Sequence, residues 1–191
     1  MVNPIKIYKN FDIQSNHKDS IILIGNFDGL HLGHRKLFEL AKKFKKRFSL
    51  KIGVMTFEPM PKMFFNKNLK NFRISNEKQK INLLKKLKVD FVVIKRFNKK
   101  FSKIKSINFI KSILCKKLKA KFIFVSNNFR FGNKREGDVK QLNKYEFLCK
   151  YKIVKPKPLI KNKKIISSSL IRRLLQNGKL DQANKLFFTF S

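Results

Sequence analysis

The chain has 191 residues, 42% hydrophobic and 30% charged, enough apolar material for a buried core and against wholesale disorder. No uncharged apolar run approaches the ~20 residues of a membrane span, and the N-terminus lacks the apolar stretch of a secretory signal, so the reading is a cytoplasmic protein. Its net charge is +36, from 47 basic and 11 acidic residues, yet 39 of the 47 are lysines spread along the whole chain.

Apolar runs and helical patterns alternate almost throughout. Ile21 to Gly25 predicts a buried strand, continuous and ended by glycine. Leu37, Leu40, Ala41, Phe44 and Phe48 recur at helical spacing, with lysines on the opposite face. Leu50 to Phe57 predicts a second strand, followed by a loop holding Pro59 and Pro61. A helix over Glu77 to Leu87, a strand at Phe91 to Ile94, a helix over Ser106 to Leu118 and a strand at Phe122 to Val125 come next. A strand near Tyr151 to Val154 and a helix after Ser168 close the series. This order implies one α/β domain of Rossmann-like type, a parallel sheet with helices on both faces. Ligands of such sheets bind beyond the carboxyl ends of the strands, so the loops there carry the chemistry.

The loop after the first of these strands reads Gly25-Asn26-Phe27-Asp28-Gly29-Leu30-His31-Leu32-Gly33-His34. Its glycines let backbone approach a ligand closely, and His31 and His34, three apart at a helix start, share one face. Free amides and the positive dipole end there suit an anion with several oxygens. A metal pair is the competing reading, but Asp28 alone makes a poor third ligand. The remaining histidine, His17, reads as incidental surface. Cys115 and Cys149 have no histidine at ligand spacing and support neither a disulfide framework nor a zinc site.

Near the C-terminus stands Ile166-Ser167-Ser168-Ser169-Leu170-Ile171-Arg172. One serine serves as an ordinary helix cap. The other hydroxyls and Arg172 make a second anion site, suited to a polyphosphate tail. Two further loops read as walls of a second pocket. Thr56-Phe57-Glu58-Pro59-Met60-Pro61 offers a ring between fixed prolines, and Asn127-Asn128-Phe129-Arg130-Phe131-Gly132 pairs two phenylalanines with an arginine. Such rings stack on a planar heterocycle, although with 21 Phe in the chain each one alone also reads as core.

GNFDGLHLGH, TFEPMP, NNFRFG with a later Gly137-Asp138, and ISSSLIR, in that order, resemble the FMN adenylyltransferase module of bacterial FAD synthetases. The resemblance runs from about Ile21 to Leu186 and implies the Rossmann-like nucleotidylyltransferase fold. It also implies transfer of AMP from ATP to FMN, giving FAD and pyrophosphate, with Mg2+. By that resemblance Gly25, Asn26, Phe27, Asp28, Gly29, His31, His34, Ser168, Ser169 and Arg172 bind ATP. His31, His34 and Arg172 are the catalytic group among them, and the metal ligands stay unassigned. Phe57, Pro59, Pro61, Asn128, Phe129, Arg130 and Phe131 face the flavin. Met60 stands where the family often has His, Asn128 where many members have Asp, and Ser126 where they have Gly. Ser169 and Leu170 replace the more usual Thr and Arg or Lys.

Residues 1–186 are read as the adenylyltransferase domain, and 187–191 as a tail or the start of a linker to a riboflavin kinase module absent from this chain. That kinase module is the expected partner in cis. No specific nucleic acid and no membrane is read as a partner, because a lysine-rich charge of this kind follows AT-rich codon usage. Three other readings stay open: a related adenylyl- or cytidylyltransferase with another phosphorylated acceptor, a basic nucleic-acid-binding protein, and a flavin-binding module without turnover, to which only the departures at Met60 and Asn128 point. The second predicts RNA binding that falls steeply with salt and ignores His31 and His34.

Overall fold

The computed structural model describes residues 5–69, 72–161 and 163–187. Six parallel strands form the central sheet: β1 (Lys6–Tyr8), β2 (Ile21–Ile24), β3 (Ile52–Glu58), β4 (Phe91–Arg96), β5 (Phe122–Phe124) and β8 (Lys152–Val154). Their spatial order is β1-β4-β3-β2-β5-β8. Two small antiparallel ribbons lie outside it, β6 (Arg130–Phe131) with β7 (Gly137–Asp138), and β9 (Ile160–Lys161) with β10 (Lys164–Ile165).

The strands are apolar on both faces because both faces are covered. Ile22, Ile24, Met55, Val93 and Ile123 point to one core, where Phe109, Ile110, Ile113, Leu114, Val139 and Leu142 meet them. Ile21, Leu23, Val54, Val92 and Phe124 alternate to the other, under Phe38, Ala41 and Leu84. That period-2 division is what a sheet sandwiched between helices requires. The second face is covered by α1 (Leu32–Phe48) and α3 (Glu77–Lys86), the latter started by an Asn76–Gln79 capping box. The first is covered by α5 (Ser106–Asn108), which runs into a π-helical stretch Phe109–Lys117, and by α6 (Val139–Lys144). The helix read over Ser106 to Leu118 is therefore mostly π-helical, a winding that side-chain periodicity at this length does not reveal.

Shorter helices complete the chain: α2 (Pro61–Phe65), α4 (Lys99–Ser102), α7 (Glu146–Cys149), α8 (Ser168–Gln176) and α9 (Leu180–Asn184). Ile171, Ala183 and Leu186 of the last two, with Ile166, build a third small core. Residues 188–191, most of the segment read as a tail, lie outside the described residues.

Two sequence expectations are corrected. Cys115 and Cys149 are disulfide-bonded, with Cα atoms 5.2 Å apart, because the π-helical stretch and α7 pack side by side. His17 is buried: its Nδ1 lies 2.7 Å from the Tyr8 hydroxyl and its ring stacks on Phe91 at 4.5 Å. Among the described residues, no helix is long and apolar enough to cross a membrane.

Candidate active site

β2 lies between β3 and β5, so the loop leaving β2 is flanked by the two loops read as pocket walls. The β2 loop and β3 are tied directly, Thr56 Oγ1 donating to the Asn26 carbonyl at 3.2 Å. His31 caps the start of α1, and its carbonyl accepts the amides of His34 and Arg35. The imidazoles of His31 and His34 stack at 3.8 Å with planes 24° apart, the shared face that the spacing implies. Behind them Leu32 N–H donates to the Leu186 carbonyl, and Phe187 pairs as a bridge with His31.

Burial sets the charge of this pair. His31 is 5% exposed, and desolvation together with the Arg172 guanidinium holds it down at about 4. Burial and the neighbouring His31 push His34 well below its usual value. Both rings are neutral at pH 7. Neither Nδ1 has a hydrogen-bond partner among the described residues.

Three members of the β2 loop turn inward. Phe27 is buried, its ring 5.2 Å from His34 and 5.5 Å from Phe38, so it props the histidine. Gly29, at φ +59°, donates its amide to Ser75 Oγ, and a Cβ there would overlap Ile74. Asp28 is 1% exposed. Its carboxylate accepts the amides of Ile74 and Ser75 and pairs with Arg172 Nη2 at 2.7 Å. Asn26 is exposed and Gly25 half-buried, closer to solvent than these three.

The serine motif starts α8 as expected, with less freedom in its hydroxyls. Ser167 Oγ caps the Leu170 amide, and Ser168 Oγ donates to the Asp28 carbonyl at 2.9 Å, while Ser169 is exposed. Arg172 donates Nε–H to the Phe72 carbonyl at 2.8 Å and lies over the Phe72 ring at 3.9 Å. Nε and Nη2 are thus engaged among the described residues, and a guanidinium carries further N–H groups that can meet a ligand.

The second pocket is a cavity of about 460 Å³. Phe57, Pro61, Phe129, Arg130 and Phe131 line it, as read from the sequence; Pro59 and Asn128 do not. Asn128 is exposed and accepts from Ser126 Oγ, and Arg130 reaches Asp138 at 3.5 Å. The sequence reading missed Phe65, Phe97, Phe101 and Phe109, which bring the phenylalanine lining to seven. It also missed Lys62, Lys134 and Arg135, the cations at the same wall. Phe97 meets Phe57 and Phe101 edge to face at 6.1 and 5.7 Å, Phe57 lies tilted against Phe101 at 5.8 Å, and Phe129 stacks on Phe131 at 5.5 Å. A volume and lining of this kind accept a flat aromatic ligand with an anionic end.

Residues 13–170 match the family model of the FAD synthetases. The chain belongs to the FAD synthetase family. Among its relatives is the bifunctional riboflavin kinase/FMN adenylyltransferase of Buchnera aphidicola subsp. Acyrthosiphon pisum. It is 37% identical over 175 residues, 92% of this chain and 56% of that protein. The protein of the same description from Escherichia coli is 33% identical over 173 residues, 91% of this chain and 55% of that one. The chain therefore spans about half the length of the curated relatives it matches. A crystal structure described as a macrolide-efflux protein from Streptococcus pneumoniae shares the fold. It gives a TM-score of 0.80 at 27% identity, over 95% of this chain and 70% of that one. Within the FAD synthetase family, then, this chain pairs a stacked histidine site with a phenylalanine cavity at the carboxyl ends of the central strands.

Proposed function

We propose that the chain transfers AMP from ATP to FMN, giving FAD and pyrophosphate, in the cytoplasm. The observation that carries this reading is the pairing of two sites on adjacent loops. One is a polyphosphate-type site built on His31, His34 and the start of α8, and the other is a seven-phenylalanine cavity beside it.

In this reading an oxygen of the FMN phosphate attacks the α-phosphorus of ATP. The new O–P bond forms as the bond to the β-phosphate oxygen breaks, and pyrophosphate leaves with that electron pair. FMN's phosphate is already ionised near pH 7, so no protein nucleophile or strong base is needed. The protein's share is in-line positioning and charge stabilisation. Neutral imidazoles fit that role as N–H donors. With each Nδ1 unpartnered, a proton on Nε2 leaves only a lone pair unsatisfied, and Nε2–H then donates to the α-phosphate oxygens. Further N–H groups of the Arg172 guanidinium and the exposed Ser169 take the leaving pyrophosphate.

Among the described residues, magnesium has no cage of protein ligands. Both oxygens of Asp28 are engaged by amides and Arg172, and no group of three His, Cys, Asp or Glu side chains among the described residues is placed to hold a metal. Mg2+ accordingly belongs to the substrate, as MgATP held by its own phosphates.

The relatives' bifunctional description supports a riboflavin kinase module as partner in cis in a longer protein. The test is to mix the purified chain with ATP, Mg2+ and FMN and follow both products by chromatography. FAD and pyrophosphate in equal amounts support the reading. FMN bound without FAD formed would reduce the chain to a flavin binder, and no FMN binding would sink the assignment of the cavity.

A further inference from the structure

Four consecutive residues between α2 and α3, Phe72 to Ser75, touch Arg172, Asp28 and Gly29 on one side and Lys62 and Glu58 on the other, although nothing in their sequence marks them. The Phe72 carbonyl accepts from Arg172 Nε, and the Phe72 ring carries the Arg172 guanidinium at 3.9 Å. Toward the same ring comes Lys62 Nζ, 5.0 Å from its centroid, on the helix that lines the phenylalanine cavity. Arg73 pairs with Glu58, the last residue of β3, between the cavity residue Phe57 and Pro59. Ile74 and Ser75 give their amides to Asp28, and Ser75 Oγ accepts the Gly29 amide. The buried Lys80, one turn into α3, adds a positive charge facing Glu58 and Asp28.

One aromatic ring therefore holds both a cation of the polyphosphate site and a cation of the cavity. A cation is attracted to the face of a ring, and moving either cation changes what the ring offers the other. We propose that the strap Phe72–Ser75 couples the two pockets, with Phe72 and Arg73 as its positioning residues, so that a ligand in one strengthens binding in the other. This rests on the adenylyl-transfer reading. An anion that draws Lys62 toward the cavity leaves Phe72 to Arg172. Triphosphate that fixes Arg172 fixes Phe72 and, through Arg73 and Glu58, the cavity wall. Coupling of this kind is reciprocal: ATP must tighten FMN by the same factor as FMN tightens ATP.

The experiment measures FMN affinity by quenching of flavin fluorescence, with and without α,β-methylene-ATP, and turnover to FAD with ATP. Wild type is expected to bind FMN at least about fivefold tighter with the analogue present. Phe72→Leu keeps apolar bulk and removes the π face. It should bring that factor to about one and lower kcat by about tenfold or more, with FMN affinity alone within about threefold. Phe72→Tyr, which keeps the face, should restore both. Arg73→Gln is the second variant, expected to lose the coupling factor by breaking the tie to Glu58. Purely structural damage would weaken FMN binding with and without the analogue and leave the factor intact. A retained factor in folded Phe72→Leu and Arg73→Gln, or no factor in wild type, overturns the coupling while FAD is still made. No FAD from wild type overturns the adenylyl-transfer reading and this proposal with it.

Discussion

Arg172 and Asp28 meet at 2.7 Å across 144 residues of chain, and the carboxylate is 1% exposed. The pair joins α8 to the loop after β2, and two backbone amides hold the carboxylate from the other side. A buried pair of this kind adds little over an apolar substitute, but removing one partner strands the other. Asp28→Ala is expected to lower stability by about 3–5 kcal/mol. Asp28→Asn, which keeps an acceptor of the same shape, is expected to cost about 1–3 kcal/mol. Urea unfolding of the two variants checks this, and an unchanged midpoint in Asp28→Ala would show that the pair does not hold α8 in place.

The histidines should make stability depend on pH in a particular window. The unfolded chain takes up a proton on each histidine near 6.5, whereas folded His31 does so only at about 4. Between those values the unfolded state binds more protons, so stability is full above about pH 6.5 and declines as pH falls toward 4. His34 adds to the decline in the same direction. His31→Gln should flatten the profile over that range. Denaturant midpoints at pH 7.5, 6, 5 and 4.5 would decide it, a wild-type profile parallel to that of the variant counting against the buried neutral pair. ATP, bringing negative charge to the rings, is expected to protect best at the acid end.

Replacing His31 or His34 with Ala should lower turnover by orders of magnitude in a protein that still folds, since each ring is assigned to the α-phosphate in the proposed reaction. FAD formation under saturating ATP and FMN, alongside circular dichroism, separates lost chemistry from lost structure. Near-normal turnover in both variants would remove the histidines from the mechanism.

The histidine pair could be read from the chain because a helix puts residues three apart on one face wherever the helix sits. Five of the six strands could be read because they are continuous apolar runs between periodic helices, whereas β1, three residues with two exposed, offers no such run. The phenylalanine cavity was half legible. Phe57, Phe129 and Phe131 stand beside prolines and an arginine in strand-end loops, whereas Phe97, Phe101 and Phe109 come from other elements and look like any of the 21 phenylalanines. The strap at Phe72–Ser75 was illegible for a different reason. Much of its contact is through backbone amides and a carbonyl, which every residue possesses, so no pattern announces it. The inward turn of Asp28 was hidden likewise: a carboxylate in a phosphate-type loop reads as a ligand until its partners are seen.

Two cavity residues, Phe101, missed in the sequence, and Phe129, read from it, give a direct check on its ligand. Phe101→Ala and Phe129→Ala each remove a ring from the lining, and FMN affinity should fall by about tenfold or more in each. Binding of α,β-methylene-ATP alone should stay within about threefold. Calorimetric titration of both ligands tests this, and FMN affinity unchanged in both variants would place the flavin elsewhere.

Two glycines with positive φ should respond differently to alanine. Gly132 has φ +77° with ψ 178°, an extended region essentially reserved for glycine, and Gly178 has φ +68°, so a Cβ is disfavoured at each by about 1–3 kcal/mol. At Gly178 the new carbon meets nothing within 4 Å. At Gly132 it would lie 2.8 Å from backbone atoms of Ser106, at the start of α5, which a side-chain rotation cannot relieve. Gly178→Ala is expected to cost about 1 kcal/mol and leave FMN binding alone. Gly132→Ala should cost more than about 2 kcal/mol and weaken FMN binding as well, because Gly132 itself lines the cavity and Ser106 leads into Phe109 on its wall. Denaturation of the pair compares a strained backbone that also meets Ser106 with a positive-φ turn that opens onto space. Equal losses would mean that the Gly132 turn yields easily and that the loop Phe129–Gly132 is not held against α5.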